Sequence, residues 1–294
     1  MRTIKLDFCN FWKGFNKTNN YFYNLLAGRY KVTISDSPDY LIYSCFGSSK
    51  ELLRYKCIRI FYAGENRRAN FRECDYAFTC DYSDNPNHYR LPLYALDKDL
   101  YALVKPRNFD VDAIIRQKTK FCSFLVSNPF GAIRNRFFNK LCNRYKRVDS
   151  GGLVLNNIGS RVKDKLAFMR DYKFNIAFEN SSYPGYTTEK IFEAMLTSCL
   201  PIYWGNPLIQ RDFNPRSFLN YFDFTSEEAL IEEIIRIDND DNLYREYLSQ
   251  PCYHNNEVND FIKPEYVLRQ FDYIFGNDRV PVAQQKKKRL LLHF

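Results

Sequence analysis

The 294 residues carry a formal net charge of +9, from 43 Lys and Arg against 34 Asp and Glu. That length allows a buried core and two domains of ordinary size, and 23 Tyr with 26 Phe exclude a disordered chain. The charge calls for an anionic partner; nucleic acid, a membrane surface and a phosphorylated substrate all qualify. The nine cysteines are scattered and show no C-x-x-C spacing, which reads as small buried hydrophobes in a reducing compartment, not a disulfide framework. "MRTIKLDFCNFW" has no long apolar h-region, and no run of about 18 apolar residues occurs. The expectation is a chain without signal peptide or membrane span.

In chain order, "TIKLDFC" and "YKVTIS" read as strands, with "NYFYNLLAG" between them as a helix ending at Gly28. "DYLIYSCF" is a strand, "SSKELLRY" a short helix with an N-cap serine, and "KCIRIFYAGEN" a strand ending in a glycine turn; "DYAFTCDY" is one more strand. This alternation predicts a mostly parallel sheet with crossover helices. A less patterned region follows around "ALDKDLYALVKPRNF".

The alternation then restarts. "FCSFLVSN" is a strand, and "GAIRNRFFNKLCNRY" is an amphipathic helix with Ile133, Phe137, Phe138, Leu141 and Tyr145 on one face. "GSRVKDKLAFMRDY" is a second helix candidate, and "KFNIAFEN" alternates Phe174, Ile176 and Phe178 before a polar loop. Pro184-Gly185 marks a turn, and Thr187 or Thr188 can cap a helix that places Ile191, Phe192, Met195 and Leu196 on one face. "CLPIYWG" is the next strand, and "TSEEALIEEIIRI" is a helix with a capping box from Thr225 to Glu228. "PEYVLRQFDYIF" is a late helix before the tail "QQKKKRLLLHF". The expected class is α/β, with an N-terminal domain over 1–116, a second domain over 117–262, and a C-terminal helix and basic tail over 263–294.

In parallel α/β sheets, ligands bind beyond the carboxyl ends of the strands. Glu65 follows a strand and Gly64; it is a candidate general base, with a solvated turn residue as the alternative. Arg134 and Lys190 each lie in the first turn of a helix, the wrong end for a cation. A bound phosphate would reverse that penalty. Asn180, Tyr186, Glu189 and Lys190 cluster around one strand-to-helix loop, where Glu189 could accept from sugar hydroxyls; the plainer alternative is a surface salt bridge. His88, His254 and His293 show no metal spacing. The D-x-D spacing of Asp238 and Asp240 occurs in metal-dependent sugar transferases, but its place after an acidic helix favours a turn. Nucleotide-binding glycine fingerprints and RNA-recognition signatures are absent.

The stretch "YKFNIAFENSSYPGYTTEKIFEAMLTSCLPIYWGNP" resembles the signature of the α-1,3-fucosyltransferases, glycosyltransferase family 10, and the likeness extends to "FYAGEN", "SNPFGAIRN" and "DFNPRSFLN". Bacterial members look similar in length. The resemblance implies a GT-B architecture, two Rossmann-like domains facing across a cleft. It implies inverting transfer of L-fucose from GDP-β-L-fucose to an acceptor containing Gal-GlcNAc, with α-1,3 linkage to the GlcNAc of N-acetyllactosamine and a Lewis x-type product. Glu65 matches the general base. Arg134 and Lys190 match residues that hold the donor pyrophosphate, and Asn180, Tyr186 and Glu189 match other donor contacts. No cofactor is required on this reading, with Mn²⁺ or Mg²⁺ at most an accessory.

The expected setting is cytoplasmic, in surface-glycan or lipopolysaccharide assembly. Residues 284–294 are a candidate for peripheral contact with the inner membrane face, with a solubilising tail as the alternative. Two other readings stand beside this one. A different nucleotide sugar could serve a GT-B transferase. A non-catalytic basic protein could bind nucleic acid or membrane, but Glu65 and Glu189 among the cations oppose a nucleic-acid backbone, so no nucleic-acid partner is expected.

Overall fold

A computed structural model describes residues 1–285, so 286–294, which hold the basic run of the tail and its apolar end, lie outside the described residues. The described residues divide into two compact units, 1–96 with 260–285, and 97–259. The sequence reading drew its division at 116 and kept 263–294 apart.

The first unit is a six-stranded parallel sheet. Its elements are β1 (Thr3–Cys9), α1 (Tyr21–Ala27), β2 (Lys31–Ile34), β3 (Tyr40–Tyr43), α2 (Ser49–Leu52), β4 (Ile58–Tyr62), β5 (Tyr76–Thr79) and β6 (His88–Arg90). The sheet order is β2-β1-β3-β4-β5-β6. Strands β3, β4 and β5 are buried along their whole length, as expected for a parallel sheet covered on both faces.

The second unit contains α3 (Val111–Gln117), β7 (Lys120–Phe124), α4 (Ala132–Arg144), β8 (Asp149–Ser150), α5 (Lys165–Met169), β9 (Tyr172–Phe178), α6 (Glu189–Leu196), β10 (Leu200–Trp204), β11 (Leu219–Asn220), α7 (Glu227–Asp238) and α8 (Asp241–Ser249). Its parallel sheet has the order β11-β10-β9-β7-β8. Read from β8, this is the second, first, third, fourth and fifth strand, the same order with which the first sheet begins.

Side-chain alternation sets the two faces of β9. Phe174, Ile176 and Phe178 join the core under α4 and α7, with the Phe137 ring stacked on Phe178 at 4.8 Å. Asn175, Ala177 and, just past the strand, Glu179 therefore address the other face, where α6 packs on β9 and β10.

The last helix, α9 (Pro264–Gly276), belongs to the first unit. It buries Val267, Phe271, Ile274 and Phe275, and Phe271 stacks on Phe78 of β5 at 4.9 Å. After it, Asp75 accepts a hydrogen bond from the Val282 N–H at 2.8 Å. Among the described residues no helix is long and apolar enough to cross a membrane.

Two local expectations need correction. The cap of α7 is Ser226, whose hydroxyl accepts from the Ala229 N–H at 3.1 Å, so the box does not start at Thr225. Only Lys165–Met169 of "GSRVKDKLAFMRDY" is α-helical, behind an Asp164 cap. The turn expected at "DND" falls on Asn239, between two helices. Asp238 ends α7, and Asp240 caps α8 by accepting from the Asn242 and Leu243 N–H groups.

Candidate active site

The strand order of the second unit reverses between β7 and β9, and in such sheets the crevice beyond that reversal is where ligands sit. Two loops leave the sheet there. One follows β7 and leads into α4, carrying Arg134. The other follows β9 and carries Asn180 and Tyr186 into α6, whose first turn holds Glu189 and Lys190.

The residue that organises the second loop is Glu179, which sequence reasoning did not single out. It is fully buried. Its carboxylate accepts from the Thr188 N–H at 2.7 Å, from the Thr188 hydroxyl at 2.7 and 3.0 Å, and from Lys190 Nζ at 2.9 Å. The charge anomaly at the start of α6 thus has an internal answer: Glu179 supplies an anion at the helix N-terminus. Thr188 is the N-cap residue, but its hydroxyl makes no capping bond to the helix; it donates to Glu179 and accepts from Lys190 at 2.8 Å.

Electrostatics follow the geometry. Burial pushes the Glu179 carboxyl above its ordinary range, opposed by Lys190. Burial alone would lower Lys190, but Glu179 and Glu189 outweigh it and hold the ammonium above its usual value. Glu189, 3.7 Å from Lys190 and 3.9 Å from Lys165, is likewise pushed up by burial and drawn below its usual range by those two cations.

Asn206 and Gly205, absent from the sequence-level candidates, fix this loop together with Gly185. The fully buried Asn206 accepts from the Gly185 N–H at 2.7 Å and donates to the Thr187 hydroxyl at 3.1 Å. Gly185 has φ +91°, open to glycine at little cost. At Gly205 a Cβ would stand 2.4 Å from Glu179 Cγ, so only glycine lets β10 end beside that carboxylate. The signal for Glu179 was its place as the one charged residue closing an apolar strand, and for Asn206 the "YWGNP" stretch that ends the next one.

Tyr186 is buried, and its hydroxyl donates to Asn180 Oδ1 at 3.0 Å. Arg134 is 1% exposed. One guanidinium nitrogen donates to the Asn128 carbonyl, while Nε is buried without a hydrogen-bond partner among the described residues. Burial draws the Arg134 pKa below its usual value, and Glu179 and Tyr186 oppose that shift. Five of the six sequence candidates therefore gather around the ends of β7 and β9. A cleft of about 510 Å³ opens alongside, with Ser127, Gly151, Gly152, Arg161, Lys163 and Lys165 in its lining.

Glu65, the sixth candidate, lies in the first unit three residues past β4 and is partly buried. Its carbonyl accepts from the Arg67 N–H at 2.7 Å. The D-x-D acids are otherwise engaged. Asp238 accepts from Lys146 at 2.6 Å and from the Tyr145 hydroxyl at 2.9 Å. Among the described residues no group of three or more His, Cys, Asp or Glu is placed to hold a metal ion.

Two α/β units, each built on a parallel sheet, define a fold of the GT-B type. The chain matches the model described as the alpha-(1,3)-fucosyltransferase FucT N-terminal domain over residues 6–97 and the glycosyltransferase family 10 (fucosyltransferase) C-terminal model over residues 115–262. It belongs to glycosyltransferase family 10.

A solved alpha1,3-fucosyltransferase superposes with a TM-score of 0.81 at 30% identity, covering 95% of this chain and 92% of that one. A crystal structure of alpha1,3-fucosyltransferase with GDP-fucose gives 0.79 at 28% identity, covering 95% and 93%. The Alpha-(1,3)-fucosyltransferase FucT of Helicobacter pylori is 35% identical over 286 residues, taking in 83% of this chain and 59% of that protein. The chain thus spans less than two thirds of the length of that curated relative.

Proposed function

We propose that the protein transfers L-fucose from GDP-β-L-fucose, with inversion, to the GlcNAc of an N-acetyllactosamine-type acceptor, giving an α-1,3-linked, Lewis x-type product. The observation that carries this reading is the pairing of Arg134 and Lys190 at two helix N-termini around the β7–β9 reversal, in a chain of family 10.

The departing GDP gains negative charge in the transition state. Preorganised cations and N–H groups in a site shielded from water are the effective way to meet it. Arg134 has an unused buried donor at Nε. Lys190 is fixed by Glu179, with 18% of its side chain exposed to reach a ligand. These two residues hold the pyrophosphate. Asn180, Tyr186 and Glu189 contact the sugar and phosphate parts of the donor, and the neighbouring cleft takes the nucleoside. Glu65 is the general base that removes the proton of the acceptor hydroxyl. A divalent cation such as Mn²⁺ or Mg²⁺ is an accessory here, since the protein's own cations carry the leaving-group charge.

Glu65→Ala separates the base from the binding groups. With GDP-fucose and N-acetyllactosamine, kcat is expected to fall about 10²-fold or more, the usual size of a lost general base, while calorimetry shows GDP binding retained. Near-normal turnover would remove Glu65 from that role, and a wild-type protein that transfers no fucose would end the functional reading itself.

A further inference from the structure

The sheet order of the first unit, β2-β1-β3-β4-β5-β6, reverses between β1 and β3, so its own ligand crevice lies beyond the ends of those strands. The loop after β1 carries Trp12, and the loop after β3 carries Phe46. Both rings are about half exposed, at 48% and 51%, and they meet edge to face at 6.2 Å. Building large aromatic rings into solvent forgoes the burial that such side chains normally gain.

The rings are also held in place. Trp12 packs against Phe11 at 5.6 Å and Phe15 at 5.2 Å. Phe11 and Phe15 stack at 4.0 Å, and Phe15 rests on the buried Phe8 at 5.4 Å. The two loops are tied together by Asn10, whose carbonyl accepts from the Phe46 N–H at 2.9 Å and whose Nδ2 donates to the Ser48 carbonyl at 3.2 Å. A Cβ at Gly47 would stand 2.1 Å from Asn10 Oδ1, so the close approach of the loops depends on that glycine.

Strand β4, whose following loop carries Glu65, is the sheet neighbour of β3, so the loops after β1, β3 and β4 leave adjacent strand ends. The Phe11 ring lies parallel to Tyr62 at 6.4 Å. Tyr62 closes β4 three residues before Glu65.

We propose that Trp12 and Phe46 form the surface on which a pyranose ring of the acceptor stacks, bringing its hydroxyl to Glu65. This rests on the transferase reading above. One face of a pyranose presents several C–H groups, which fit the electron-rich face of an aromatic ring. In the chain the two rings are flanked by the exposed Lys13, Gly14, Ser48 and Ser49, and two rings make a patch smaller than a stable protein interface requires.

The test is a steady-state comparison of wild type, Trp12→Ala, Phe46→Ala and Trp12→Phe with N-acetyllactosamine and GDP-fucose. Both alanine variants should raise the KM for N-acetyllactosamine about tenfold or more, leave the KM for GDP-fucose and the calorimetric GDP affinity unchanged, and keep the wild-type Tm. Trp12→Phe should recover most of the loss, which a merely structural role at an exposed position would not produce. An active wild type whose acceptor KM stays within about twofold in Trp12→Ala would overturn the proposal while leaving the transferase reading intact. Loss of co-sedimentation with anionic lipid vesicles in that same variant, with acceptor KM unchanged, would overturn it in favour of a membrane contact.

Discussion

At the scale of single residues, Lys190 is stabilised by a carboxylate that the chain supplies itself. Replacing it with alanine would strand Glu179 in the interior, and breaking one side of a buried pair is costly. Lys190→Ala should therefore lose on the order of 3 kcal/mol of stability by denaturant unfolding together with about tenfold or more of GDP affinity. The double variant Glu179→Gln/Lys190→Met removes both charges, and it should regain most of the stability but none of the affinity. GDP binding at wild-type strength in the double variant would show that Lys190 serves the fold alone. Arg134 and Lys190 were legible in the sequence because a cation in the first turn of a helix breaks a local rule. Glu179 was not, because a glutamate after a strand looks solvated until α6 folds over it.

At the scale of elements, the longer strands and helices were readable from their period, while β8 and β11, two residues each, are too short to carry one. Helix α3 was missed because it is short and buries no residue fully, and α8, although Leu243, Tyr244, Tyr247 and Leu248 pack into the core, hides behind an acidic cap that reads equally as a turn. The end of α7 gives a direct test of how the second unit is tied. Asp238, whose side chain is 4% exposed, binds Lys146 at 2.6 Å, Tyr145 at 2.9 Å and Lys173 of β9 at 3.4 Å. Burial would raise its pKa, but Lys146, Tyr145 and Lys173 hold it below the usual carboxylate range. A depressed carboxylate contributes its full stability above the unfolded value of about 3.9 and loses it as pH falls through the folded value. Asp238→Asn should then cost about 1–3 kcal/mol at pH 7, with the difference from wild type shrinking below about pH 4. A gap in denaturation midpoint that is the same at pH 7 and pH 3 would contradict this role.

At the scale of the whole molecule, the alternation of strands and helices predicted two parallel α/β units, and the two sheets begin with one and the same strand order. The period of a strand says which face is buried, not which strand it neighbours, so that order became visible only in three dimensions. The return of α9 to the first unit was hidden for the same reason: Phe271 and Phe78 meet across a long stretch of chain. The central claim is chemical, that fucose passes from GDP-fucose to a GlcNAc hydroxyl on charges the protein itself provides. Its most direct measurement is an incubation of the full chain with GDP-fucose and N-acetyllactosamine in chelator, with the product's linkage and anomeric configuration read by NMR. The account predicts an α-1,3-linked fucosyl product under these conditions; no fucosylated product, a β-linked one, or activity restored only by added Mn²⁺ would contradict it.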